Sequence, residues 1–152
     1  MLRISKLTDY GTVILACLAS QADRLWTAAE VAERTRVGLP TVSKLLKKLQ
    51  RSGLVTSTRG SHGGYQLACA AAEISAMRIL DALEGPIAIT ECSGQHSNCG
   101  IASNCRVGHV WQRVNGAIRR ALTDITLAQM AGLERVSSTS VPLTKLVRAS
   151  HE

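Results

Sequence analysis

The stretch TAAEVAERTRVGLPTVSKLLKKLQRSGLVTSTRGSHGGYQL, residues 27–67, decides the fold. It opens on Thr27-Ala-Ala-Glu30, the form of a capping box: the Thr hydroxyl takes an orphan helical amide and the Glu carboxylate reaches back to the cap. A short helix through about Thr35 is expected to follow. Gly38 then supplies a turn, and Pro40 sits in a first helical turn, where a missing N–H is tolerated. The helix it opens carries Val42, Leu45, Leu46 and Leu49 at i, i+3, i+4 and i+7. Two short helices joined by a glycine turn form a helix-turn-helix. Ser52-Gly53 ends that period, and the β-branched run Leu54 to Thr58 is followed by the turn-rich Arg59 to Gly64 and a return strand at Tyr65-Gln66-Leu67. A basic hairpin directly behind a helix-turn-helix is a wing, whose tip can lie along a phosphate backbone or enter a minor groove.

Upstream, Leu7, Tyr10, Val13, Ile14, Cys17 and Leu18 share one helical face, with Thr8 or Ser5 available as the cap. Downstream, Ser75 can cap a helix carrying Ile79, Leu80 and Leu83, stopped by Gly85-Pro86. From Ile87 to about Cys105 the period disappears and three cysteines occur. From Val107 the apolar positions Val110, Trp111, Val114, Ala117, Ile118, Ala121, Leu122 and Ile125 recur at intervals of three and four, over about five turns. So long a helix on so small a domain is expected to pack on a partner. Gly116 in its middle costs roughly 1 kcal/mol relative to Ala, so packing must hold the helix there, or the glycine permits close helix approach. The predicted fold is mainly α with a small β-hairpin wing: a winged helix-turn-helix plus a long C-terminal dimerisation helix. Its predicted parts are a DNA-binding domain at 1–86, a cysteine loop at 87–106, a dimerisation helix at 107–131 and a flexible tail at 132–152.

Composition narrows the function. A chain of 152 residues has room for one domain and an appendage, and with no Phe, two Trp and two Tyr its core must be aliphatic. No nucleophile and base pair, phosphate-binding Gly loop or carboxylate pair stands out, so the chain is not expected to be an enzyme. The start MLRISKLTDYG lacks a signal peptide and no apolar run is long enough to span a membrane, so a cytoplasmic protein without membrane contact is expected. The net charge of +7 is uneven: residues 1–67 hold ten Lys/Arg against four Asp/Glu, while residues 68–152 hold eight against seven. The basic half is the part suited to a polyanion.

In a helix-turn-helix the second helix enters the major groove by its N-terminal, solvent-facing residues. Here Thr41, Ser43 and Lys44 would meet base edges of a double-stranded operator. Lys47, Lys48 and Arg51 would lie nearer the phosphates, and Arg59 and His62 occupy the wing tip. The cysteines are spaced Cys92-x6-Cys99-x5-Cys105. Thiolates are soft ligands, and this is not the paired Cys-x2-Cys of zinc ribbons. The spacing leaves an iron–sulfur cluster, zinc and a thiol redox switch open. Cys17 and Cys69 read as small buried hydrophobes.

Four segments together carry a family resemblance: Leu2 to Tyr10, the wing Leu54 to Tyr65, the segment Ile79 to Gly85, and the cysteine loop followed by Trp111. Over about residues 1 to 130 the chain resembles the Rrf-type winged-helix transcription regulators (IscR/NsrR-like). The Ile87 to Cys92 lead-in looks most like the subgroup that regulates the SUF cluster-assembly system. The resemblance implies a homodimer held by the long C-terminal helix, with a 2Fe-2S or 4Fe-4S cluster on Cys92, Cys99 and Cys105. For the fourth ligand it implies His109, one residue beyond the spacing of IscR-like members, or Asp9 of the other subunit, as in NsrR-like members. The function implied is a regulator of cluster-assembly genes that senses cluster status. A nitric-oxide or redox-responsive regulator of the same fold, or a metal or cluster carrier that binds no DNA, are the alternatives.

Overall fold

The computed structural model describes residues 4–86 and 107–134. Helix α1, Lys6–Ala19, is capped by Ser5, whose hydroxyl accepts from the Thr8 N–H at 3.2 Å. Thr8, the other candidate cap, is instead buried. Helix α2, Ala28–Thr35, begins on the expected box: the Thr27 N–H donates to Glu30 Oε2 at 2.8 Å and the Glu30 N–H to Thr27 Oγ1 at 3.2 Å. Helix α3, Leu39–Arg51, follows. The turn between α2 and α3 departs from expectation. Arg36 takes the left-handed conformation at φ 60°, while Gly38, at φ −57°, is the N-cap of α3.

Strands β1, Val55–Thr58, and β2, Gly64–Leu67, pair antiparallel from Val55 opposite Leu67 to Thr58 opposite Gly64. A third rung, absent from the sequence reading, joins them to the segment before α2. Trp26 N–H donates to Tyr65 O at 2.8 Å and Tyr65 N–H to Trp26 O at 2.7 Å. That approach needs bare backbone, because a Cβ on Gly64 would lie 2.8 Å from Trp26 O.

Helix α4, Ala76–Glu84, is capped by Ser75 as expected and packs on α1. The two come close at Gly11, where a Cβ would lie 2.5 Å from Leu83 Cδ1. One aliphatic core collects Ile14, Leu15 and Leu18 of α1, Val31 of α2, and Val42, Leu46 and Leu49 of α3, with Leu54, Ile74 and Ile79.

The helix expected over 107–131 is two helices. Helix α5, Gly108–Thr123, ends at Asp124, and Thr126 then opens α6, Leu127–Met130, with its own capping box to Gln129. The break turns Leu127 into the winged-helix core, where it is fully buried; its N–H donates to Ile74 O at 2.7 Å, and the Ala76 N–H donates to Ile125 O at 2.8 Å. Leu127 and Ala128 therefore belong to the core rather than to a projecting helix. The whole of the expected cysteine loop, and all of the expected tail but 132–134, lie outside the described residues.

Candidate nucleic-acid interface

Helix α3 buries Val42, Leu45, Leu46 and Leu49, so its opposite face turns outward. On it Thr41 and Ser43 are half-buried, and Lys44, Lys47 and Arg51 are exposed. Arg59 and His62 stand exposed between β1 and β2. Among the described residues, Lys44, Lys47, Arg51 and Arg59 enter no ion pair, which leaves their charges available to an external polyanion.

Between α3, the wing and the start of α2 lies an open groove of about 710 Å³, into which Lys47, Arg59, Thr27 and Tyr65 face. One hydrogen bond crosses its floor: Gln50 Nε2 donates to Ser57 Oγ at 2.7 Å, tying the recognition helix to the wing. Sequence reasoning missed Gln50, although it stands three residues after Lys47 and so on the same face of α3. The Trp26 ring has two guanidinium groups near it, Arg24 at 4.4 Å and Arg34 at 5.4 Å from its centroid. Arg24 also pairs with Glu30 of the capping box, so these cations are partly committed within the chain.

Lys48 is placed differently from its neighbours. Its ammonium donates to Leu83 O at 2.7 Å, at the C-terminal end of α4 and away from the groove.

Cys92, Cys99 and Cys105 lie outside the described residues. Asp9 is exposed in the first turn of α1, and His109 is exposed in the first turn of α5. Among the described residues, no group of three or more His, Cys, Asp or Glu is placed to hold a metal. Cys17 is buried at 8% exposure, and burial pushes its thiol up, opposed by the nearby Arg34 and Arg24. It is a core side chain. Cys69 is only half-buried, not fully as expected; Arg78 Nη1 lies 3.8 Å from its Sγ.

A helix-turn-helix with a basic exposed face, followed by a glycine-built wing that shares a groove with it, defines a winged-helix DNA-binding protein. Comparison with known proteins gives the family. The model of the Rrf2 family, described as iron-dependent transcriptional regulators, matches residues 4–132. Protein rrf2 of Nitratidesulfovibrio vulgaris is 30% identical over 130 residues, covering 85% of this chain and 87% of that protein. The regulator IscR of Vibrio atlanticus is 31% identical over 102 residues, 67% of this chain and 58% of its own length. Among solved structures, CymR, the global cysteine regulator of B. subtilis, superposes with a TM-score of 0.68 at 28% identity over 88% of this chain and 99% of CymR. IscR of T. potens does so with a TM-score of 0.63 at 30% identity, over 86% of this chain and 87% of that one. The chain belongs to the Rrf2 family: it is a DNA-binding transcription regulator, not an enzyme.

Proposed function

We propose that this regulator is a cytoplasmic homodimer that reads a double-stranded operator and uses an iron–sulfur cluster on Cys92, Cys99 and Cys105 as its signal. The genes it would control are those of cluster assembly, SUF-type by the character of the Ile87 to Cys92 lead-in. The observation that carries the cluster reading is the donor set itself. Three soft thiolate sources occur within one short segment, between a helix packed on the DNA-binding domain and a helix with a bare apolar face. Three thiolates with one further ligand fit a two-iron or four-iron cluster, and a carboxylate or imidazole as the fourth would leave one corner the most exchangeable. Asp9 and His109, both exposed, are the candidates. When bound, such a cluster supplies a centre whose loss or oxidation can be read as a change of state.

The dimer reading rests on α5. Val107, Val110, Trp111 and Val114 are exposed along it, while it buries only Gly108 and Asn115. An apolar stripe of this kind marks a helix that packs on something else. Two recognition helices must meet successive major grooves about 34 Å apart, so a small change at the joint between the subunits alters operator affinity. In this reading Thr41, Ser43 and Lys44 meet base edges, Lys47 and Arg51 meet phosphates, and Arg59 and His62 follow the backbone or minor groove. No helix among the described residues is long and apolar enough to cross a membrane.

The test is anaerobic purification followed by absorbance, iron and sulfide analysis and an electrophoretic shift on promoters of cluster-assembly genes. A coloured protein whose shift differs between holo and apo forms is expected. Cys92→Ala, Cys99→Ala and Cys105→Ala should each abolish the colour, whereas Cys17→Ala and Cys69→Ala should retain it. Asp9→Ala and His109→Ala separate the fourth ligand, the true one changing the spectrum. A colourless protein with stoichiometric zinc would sink the cluster, and a coloured one that ignores DNA would make it a carrier.

A further inference from the structure

Two elements, α3 and the start of α1, meet the C-terminal end of α4, and each is held there by a specific bond. From α3, the Lys48 ammonium donates to Leu83 O at 2.7 Å. From the start of α1, the Ser5 N–H donates to Glu84 Oε1 at 3.0 Å, and the buried Thr8 hydroxyl donates to the same oxygen. The Leu83 side chain is itself seated against Gly11 of α1 and is 7% exposed. The last carbonyls of a helix lack intrahelical donors and carry the negative end of its dipole, so a cation placed there is both a cap and a charge partner. Lys48 reaches this carbonyl across from another helix, and Val42, Leu45 and Leu49 on the buried side of α3 fix where its stem begins.

We propose that Lys48 is a positioning residue and not a phosphate contact: its bond to Leu83 sets the angle of the recognition helix by the C-terminal end of α4. The proposal rests on the DNA-binding reading of α3. Displacing the end of α4 then displaces α3 directly through this bond, without passing through the rest of the core.

The two roles for a lysine separate by salt. A phosphate contact releases a counterion, so losing one flattens the plot of log K against log salt by about 0.9. A positioning residue weakens binding without changing that slope. The experiment titrates a labelled duplex from the promoter of the protein's own gene across a salt series, with wild type, Lys47→Met, Lys48→Met and Lys48→Arg. Amide exchange at Leu83, Glu84 and Gly85 is followed in parallel without DNA. Lys48→Met is expected to weaken binding about 5- to 20-fold at unchanged slope and to speed exchange in the last turn of α4. Lys48→Arg, which keeps a donor and the charge, should restore both, and Lys47→Met should flatten the slope. A flattened slope for Lys48→Met, or unchanged affinity, overturns the proposal. If wild type binds no duplex at any salt, the DNA reading of this chain fails instead. The brace is then judged by exchange alone, and unchanged exchange at Leu83 to Gly85 overturns it.

Discussion

Gly11 shows how one missing side chain sets a helix pair. Its ideal Cβ would lie 2.5 Å from Leu83 Cδ1, inside any permissible contact, so Gly11→Ala must push Leu83 off its seat between α1 and α4. Overpacking of this kind costs about 1–3 kcal/mol, which urea unfolding at neutral pH should report as a lower midpoint with an unchanged slope. Two carboxylates give an acid signature. Hydrogen bonds from Thr27, first from its backbone N–H, hold Glu30 below its ordinary value of 4.5. Glu84 is held below the same value by Ser5 first and Thr8 second. A carboxyl whose folded pKa is depressed stabilises fully above its unfolded value, and the contribution is lost as pH falls through the folded one. Urea unfolding followed from pH 7 downward should therefore show stability declining from about 4.5. Glu30→Gln and Glu84→Gln should each lower stability at pH 7 and make that decline shallower.

The wing depends on two glycines for a steric reason. A Cβ on Gly63 would lie 2.1 Å from Thr58 O, and one on Gly64 would lie 2.8 Å from Trp26 O. Gly64→Val should break the Trp26–Tyr65 rung and splay the hairpin from the start of α2. The far-UV signal of the helices should stay nearly intact while duplex affinity in a fluorescence titration falls at least tenfold. In α5, by contrast, a methyl on Gly116 meets only the far end of Arg120 at 3.4 Å. Gly116→Ala should therefore stabilise the helix by up to about 1 kcal/mol in thermal unfolding, unless a partner helix crosses there, in which case dimerisation weakens instead. These elements also show what the sequence could reveal. The capping box of α2, the Leu stripe of α3 and the hairpin were legible because each is a local pattern. The left-handed Arg36 was not, since glycine is the expected residue at such a position and Gly38 stands two residues on. The Trp26 rung pairs single residues far apart in sequence and leaves no periodic trace. Ile125 continued the helical spacing of α5, so the break at Asp124 was hidden, though Thr126 and Gln129 have the form of a cap box. The outward face of α3 was legible as a set of cations. That Lys48 points elsewhere depends on Leu83, which no spacing within α3 reveals.

Among the described residues, exposed cations gather around α3 and the wing, and a bare apolar stripe runs along α5. If that stripe is the joint of a dimer, Trp111→Asp should yield monomers in sedimentation and weaken operator binding far more than duplex binding by a single subunit, since the avidity of two linked half-sites is lost. The return of α6 has a consequence for how the molecule is made. Leu127 is fully buried against a core otherwise assembled from residues 14–83, and Leu127→Ala should cost about 2–5 kcal/mol in chemical unfolding. During translation the winged helix is complete in sequence by residue 86 but lacks this piece until about 40 further residues have been added, a closure over a long loop. Cys92, Cys99 and Cys105 precede Leu127 in sequence, so all three are made before the residue that completes the core.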